Sequence, residues 1–222
     1  MARTLAQADR MIRVSRETGK KLMIAQCLRF EKTFNTLKQA YDSRKYGRLL
    51  RMDLRRCSGP AGTKTSWYRD VKCSGGALLD LHLHDTDFVN YVLGTPDAVQ
   101  VTRVSGGIDD LMSTYFFADG PIVNAEASWC RAEWHTSSVM VFEKATLELE
   151  GTRVKISRTD KPLEVLDCSG KNGYWSEIAY FVDCILKNRK PEQCLPESTR
   201  ESIRIALAEE RSALHGRKIS LK

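Results

Sequence analysis

Along this 222-residue chain the spacing of apolar positions changes near residue 97: before it they recur mostly every three or four residues, after it every two. Residues 4–18, TLAQADRMIRVSRET, set Leu5, Ala8, Met11, Ile12 and Ser15 on one helical face, with Thr4 placed to cap the start and Gly19 to stop the end. The run KLMIAQ (21–26) has the length and flanks of a buried strand. Helix, glycine and apolar strand make half of a βαβ unit. Its first strand would precede Met1, so the chain is expected to be truncated within such a unit. A second amphipathic helix is predicted over 31–45 through Phe34, Leu37, Lys38 and Tyr41. After a turn at Gly47, Leu50, Met52 and Leu54 alternate with Arg51, Asp53 and Arg55, the pattern of a half-buried strand. Residues 58–76 are punctuated by glycine, proline and serine and read as loop, and 77–93 as a helix ended by Gly94.

From residue 97 the period is two. DAVQVTRV, LMSTYFFAD, IVNAEASWCR, SSVMVFEK, ATLELEG and TRVKISR are six strand candidates, LEVLD offers a seventh, and KISL could add a last one. Short connections between several of them predict an antiparallel meander. Two helices follow, 174–188 with Ile178, Phe181, Val182 and Ile185 at helical spacing, and 198–214 with Ile203, Ala206, Leu207 and Ala213. The expected fold is α+β: a large open-faced, predominantly antiparallel β-sheet with helices on one face, preceded by a remnant α-β unit. A sheet carrying Trp129, Phe116, Tyr115 and Phe142 would expose too much apolar surface if left bare, so a homodimer or homotetramer through the sheet face is expected.

The net charge of +7 changes little, because lysine and arginine are mixed with acids and no basic block with interleaved aromatics marks a nucleic-acid partner. No apolar run reaches membrane-spanning length and the start lacks a signal-peptide core. The seven cysteines are odd in number and contain no C-x-x-C, which fits reduced thiols in a cytoplasmic protein.

Candidate chemistry concentrates in GGALLDLHLHDTDF (75–88), which holds two of the four histidines. On a regular helix Asp80, His84 and Asp87 share one narrow sector, while His82 and Asp85 fall on other faces. A carboxylate one turn from an imidazole can orient the ring and raise the basicity of its free nitrogen, which makes an oriented general acid or base near neutral pH. The same spacing also suits a surface polar pair. Taken as H-x-H on a strand, His82 and His84 could bind metal, but His135 and His215 are isolated and complete no ligand set, so no metal is expected.

The segment GGALLDLHLHDTDFVNYVLGTPDAV resembles the G-G-x-x-x-D-x-x-x-H-D-x-D segment of the glucose–fructose oxidoreductase and inositol dehydrogenase (Gfo/Idh/MocA) family. LRF (28–30), YGRLL (46–50), SWYRD (66–70) and SEIAYFVDCILKNRKP (176–191) follow in the family's order over nearly the whole chain. The resemblance implies a Rossmann domain binding NAD or NADP, followed by a sheet domain that shapes a sugar or cyclitol site. It implies hydride transfer to nicotinamide, with His84 as base and Asp80 holding it or the substrate. Lys64, Trp67, Tyr68 and Arg69, together with Asp87, would face a polyol substrate, and Arg29 would lie near the cofactor. The chain carries no G-x-G-x-x-G motif and would begin just after the family's E-K-P lysine. Residues 1–28 are therefore expected to be a remnant of the nucleotide domain and 29–222 the substrate-binding and oligomerisation domain. Alone, the chain is expected to be inactive and to hold no dinucleotide tightly. His82 stands where the family commonly has glycine, and Glu31-Lys32 where proline often follows R-F. Some relatives have lost catalysis, so the alternative is a non-catalytic dimerising or sugar-binding module.

Overall fold

Strand β1 (Leu49–Cys57) organises the molecule, because it pairs on both sides and its two faces differ sharply in polarity. The computed structural model describes residues 1–59, 62, 66–104 and 109–222. Within them a nine-stranded sheet runs β8-β7-β6-β5-β1-β4-β3-β2-β9. The other strands are β2 (Ala98–Val104), β3 (Asp110–Phe116), β4 (Ile122–Ser128), β5 (His135–Phe142), β6 (Thr146–Glu150), β7 (Arg153–Arg158), β8 (Lys161–Asp167) and β9 (Ile219–Ser220). Every strand predicted after residue 97 forms. The unbroken meander does not: β1 inserts between β4 and β5, parallel to β4 and antiparallel to β5. A strand donated from earlier in the chain thus splits the series into two antiparallel halves.

Helices α2 (Lys32–Asp42), α4 (Leu83–Leu93) and α6 (Pro196–His215) pack on one face of this sheet. The core between them comprises Leu37, Met52, Phe88, Val99, Tyr115, Val123, Met140 and Ile205, all nearly or wholly excluded from water. A bulge between Leu49 and Arg51 shifts the start of β1, so Leu49 is buried and the expected core residue Leu50 is exposed. From Met52 onward the alternation is regular. Met52, Leu54 and Arg56 face the helices, while Arg51, Asp53 and Arg55 face outward.

That outward face is wetter than expected. Trp129, Tyr115 and Phe142 are buried on the helix side or in the β4 end. The open face instead carries Arg55 paired with Glu126 at 2.6 Å, Asn124 donating to Asp53 at 3.1 Å, and the ion pair Arg51–Asp53, with Met112 and Ile122 exposed among them.

Helix α1 (Leu5–Thr18) starts on the predicted Thr4 cap, completed by Gln7 as a capping box, and ends on Gly19 in the left-handed conformation. It buries Ala8 and Ile12 and is tied to α6 by Arg16–Glu197 and Arg200–Asp9. The strand expected at 21–26 does not form. The segment runs without regular structure, joined to the body by the Ile24 amide donating to the Cys194 carbonyl at 3.2 Å. Among the described residues no strand lies beside it, and an apolar run without a ladder partner cannot register as β.

Helix α5 (Gly173–Leu186) rests on the 3-10 turn Cys27–Phe30 through the Phe30–Tyr180 ring contact. It buries Glu177 and Cys184 and leaves Ile178, Val182 and Ile185 exposed.

Candidate active site

The site helix begins with two glycines whose backbones only glycine adopts freely, Gly75 at φ +84° and Gly76 at φ +72°. What approaches them is a carboxylate of this chain. Asp109, held by Arg103 Nη2 at 2.7 Å, accepts the Ala77 amide at 2.9 Å, and a Cβ on Gly76 would lie 2.5 Å from Asp109 Oδ2. The short helix α3 (Val71–Ser74) ends on Gly75. The expected single helix over 77–93 is instead a π-turn, Leu78–His82, that hands over to α4. A π-turn carries one extra residue in the turn and shifts the helical phase of the residues before it against that of the residues after it.

Three polar groups of this segment, Asp87, Asp85 and His82, are spent inside the fold. Asp87 is fully buried; its carboxylate accepts Arg29 Nε and Nη2, both at 2.8 Å, and the Ser202 hydroxyl at 2.8 Å. Asp87, expected toward substrate, and Arg29, expected toward cofactor, are here each the other's buried counterion, with the Ser198 hydroxyl accepting a further Arg29 bond. Asp85 takes Arg56 Nε at 2.8 Å and Nη2 at 3.0 Å in a second buried pair. His82 points away from the open side, as its helical phase predicts. Its Nε2 lies 3.0 Å from Glu209, 2.9 Å from Ser113 and 3.2 Å from the Tyr115 hydroxyl.

Asp80 and His84 remain partly exposed. They do not hydrogen-bond to one another; the only side-chain hydrogen-bond contact of His84 among the described residues is with Cys27 Sγ, 4.0 Å from Nδ1. Burial, then the Arg56 guanidinium, lowers the proton affinity of His84, with the Met1 ammonium adding to the effect. The ring is thus biased toward its neutral, proton-accepting form. Burial raises the Asp80 carboxyl above its usual range, and among the described residues it has no hydrogen-bonded or ionic partner. Two titratable groups pushed off their ordinary values on one helical stretch, neither stabilised by a fixed partner, are what a proton-transfer site requires.

Around His84 the fold gathers groups that the periodicity did not single out. Cys27 is buried, and burial followed by Glu177 raises its thiol. Glu177 is buried with Oε2 unbonded, and burial together with Glu31 raises it. Arg56 was legible in principle, because it continues the buried phase of Met52 and Leu54. Glu209 likewise falls in the buried stripe of α6 with Ser202, Ile205, Ala206 and Ser212.

In the loop, Trp67 and Tyr68 stack at 4.3 Å within the 3-10 turn Trp67–Arg69, with Trp67 and Arg69 exposed. Lys64 lies outside the described residues. His135 and His215 are exposed and far along the chain from the pair, and the described residues form no group of three or more His, Cys, Asp or Glu that could hold a metal ion. No helix of the described residues is long and apolar enough to cross a membrane.

Comparison with known proteins bears on this arrangement. The family model of the GFO/IDH/MocA C-terminal domain matches residues 34–157. A myo-inositol 2-dehydrogenase of Thermotoga maritima is 26% identical over 171 residues, 75% of this chain and 45% of that protein, so the chain spans less than half the length of this curated relative. An aldose-aldose oxidoreductase from Caulobacter crescentus, solved with glycerol, superposes with a TM-score of 0.85 at 19% identity over 100% of this chain and 70% of its own. A levoglucosan dehydrogenase solved with NADH and levoglucosan gives 0.85 at 15% identity over 99% and 71%. At these identities the two structures establish the fold.

Proposed function

Because the chain belongs to the GFO/IDH/MocA family, we propose that it is the substrate-side portion of an NAD(P)-dependent oxidoreductase acting on a hydroxyl-bearing carbon of a sugar or cyclitol. One observation carries the reading: a partly exposed imidazole biased toward neutrality, one turn from a partly buried carboxylate with no partner among the described residues.

The dinucleotide itself does not fit the described residues. Pyrophosphate sites use helix starts with free amides. Here α1 is closed by its own Thr4–Gln7 box, the site helix by Asp109 and α5 by Asn172, while Glu31 and Glu197 sit at the starts of α2 and α6. The hydride acceptor therefore belongs to a nucleotide-binding portion outside these residues. Residues 1–28 are read as a remnant adjoining that portion and 29–222 as the substrate-binding and oligomerisation domain, supported by the unpaired run at 21–26.

What this chain's residues do is handle the proton. His84 takes the hydroxyl proton as the carbon–hydrogen bond is lost, and Asp80 accepts a hydrogen bond from a substrate hydroxyl. Trp67 and Tyr68 offer ring faces to the sugar's C–H surface, with Arg69 beside them. Self-association through the open sheet face is supported by Met112 and Ile122 lying exposed among its paired charges. The closed helix starts also support a second reading, in which this polypeptide on its own is a non-catalytic sugar-binding or dimerising module.

Two titrations of the 222-residue polypeptide test the assignment. Myo-inositol or glucose is expected to move the His84 imidazole resonance and leave those of His135 and His215 unchanged. NADH is expected to give no protein-linked fluorescence change. Sugars that leave His84 untouched would remove the substrate site, and a saturable NADH curve would refute the missing phosphate cradle.

A further inference from the structure

Behind His84 the fold buries a short file of protonatable groups that belongs to neither anchoring ion pair. Cys27 Sγ lies 4.0 Å from His84 Nδ1. Helix α5 presses onto the same 3-10 turn. A Cβ on Gly173 would stand 2.4 Å from the Cys27 carbonyl, and the Gly173 amide donates to Glu31 Oε1 at 2.6 Å. Residues four apart share a helix face, so Glu177 follows Gly173 on the side that meets Cys27. Glu177 is 5% exposed, and its Oε2 is sealed from solvent with no hydrogen-bond partner among the described residues. It is close enough for its charge to act on the Cys27 thiol, which also has the Tyr174 hydroxyl as a hydrogen-bonding neighbour.

Counting protons decides how this file is wired. The thiol has a single proton to donate and a sulfur that accepts weakly. Nδ1 can be satisfied in two ways: it accepts that proton, or it carries its own and donates to the sulfur. An ionised Glu177 can only accept. Tyr174 is exposed, so water can serve its hydroxyl. Were the thiol to donate to Nδ1, the buried Glu177 oxygen would go unserved, and a buried acceptor without a donor is costly. Donation of S–H to Glu177 and of Nδ1–H to the sulfur serves both groups. In that wiring Nε2 keeps its lone pair, and Nε2 has no partner among the described residues on this partly exposed ring. A free histidine ring prefers the opposite form, with the proton on Nε2, so the preference must come from the neighbours.

We propose that Cys27 and Glu177 are positioning residues that fix the tautomer of His84: the Cys27 S–H points to the Glu177 carboxylate, the His84 Nδ1–H points to Cys27 Sγ, and Nε2 is left as the nitrogen that accepts a proton. This rests on the function proposed above, because the tautomer matters only where Nε2 meets a substrate hydroxyl. The wiring itself can be read without turnover.

The measurement is the pair of ring nitrogen shifts of His84 in the 222-residue polypeptide, read by long-range proton–nitrogen NMR correlation, with His84→Gln for assignment. It is made at about pH 8, above the ordinary carboxyl and imidazole ranges. In the wild type Nδ1 is expected in the N–H range and Nε2 in the lone-pair range. Cys27→Ala removes the acceptor of the Nδ1 proton. Glu177→Met, of similar length, removes the carboxylate that draws the S–H away and frees the thiol to donate to Nδ1. In each variant the order of the two shifts is expected to invert, to the Nε2–H form of free histidine. Should either variant fail to fold, the wild-type shifts decide. A wild-type ring protonated on Nε2 overturns the wiring, and so does a folded Cys27→Ala or Glu177→Met that keeps the wild-type order. If the shifts invert as described while a longer active form tolerates His84→Ala, the tautomer assignment stands and the proposed function falls.

Discussion

Asp85→Ala is expected to destabilise the fold by about 3–5 kcal/mol, because it strands the Arg56 guanidinium in the interior. Arg56 and Asp85 are 8% and 1% exposed and share two hydrogen bonds at 2.8 and 3.0 Å. With the carboxylate gone, the charge must stay buried without its counterion or tear β1 away from α4. Urea unfolding followed by circular dichroism reads the loss as a lower midpoint at unchanged slope. The double variant Arg56→Met, Asp85→Leu separates pairing from burial and is expected to recover most of the stability, since an apolar pair of similar volume often matches a buried ion pair. A loss under about 1 kcal/mol in Asp85→Ala, on the scale of an exposed pair, would show that the site helix is not anchored this way.

The second large effect is on turnover. In a longer chain that supplies the nucleotide-binding portion, His84→Ala is expected to lower kcat by ~100-fold or more, the usual scale for a lost general base. Cofactor affinity is expected to hold, since no described residue near His84 forms a phosphate cradle. The pH dependence comes from the sign of the shift. A base whose proton affinity is lowered stays neutral and active to a more acidic pH than free imidazole, so the acid limb of kcat/KM should lie below the ordinary histidine range. The same limb should vanish in His84→Ala. A wild-type rate in that variant would leave His84 a structural residue.

The strands after residue 97 were legible because each alternates strictly and is bounded by short turns, and the Thr4 and Gly19 ends of α1 because caps are local chemistry. The order of the sheet was not legible: nothing local in β1 says that it will enter between β4 and β5. The run at 21–26 misled because an apolar hexapeptide carries no record of whether a ladder partner stands beside it. Within the site, the inward turn of His82 could be read from helical phase, whereas the π-turn could not, since a regular period carries no sign of one extra residue in the turn. The pairing of Asp87 with Arg29 was hidden for a related reason. A charged residue in the right sector reads as open to ligand until its counterion, fifty-eight positions distant, is known.

The most direct measurement uses a sugar or cyclitol deuterated at its carbinol carbon, incubated with NAD+ and a longer chain carrying this segment behind a nucleotide-binding domain. The predicted result is reduced nicotinamide that carries the deuterium, with its yield collapsing in His84→Ala. Reduced cofactor free of deuterium, or a yield undiminished by that substitution, would contradict the assignment of His84 as the base of a sugar-oxidising site.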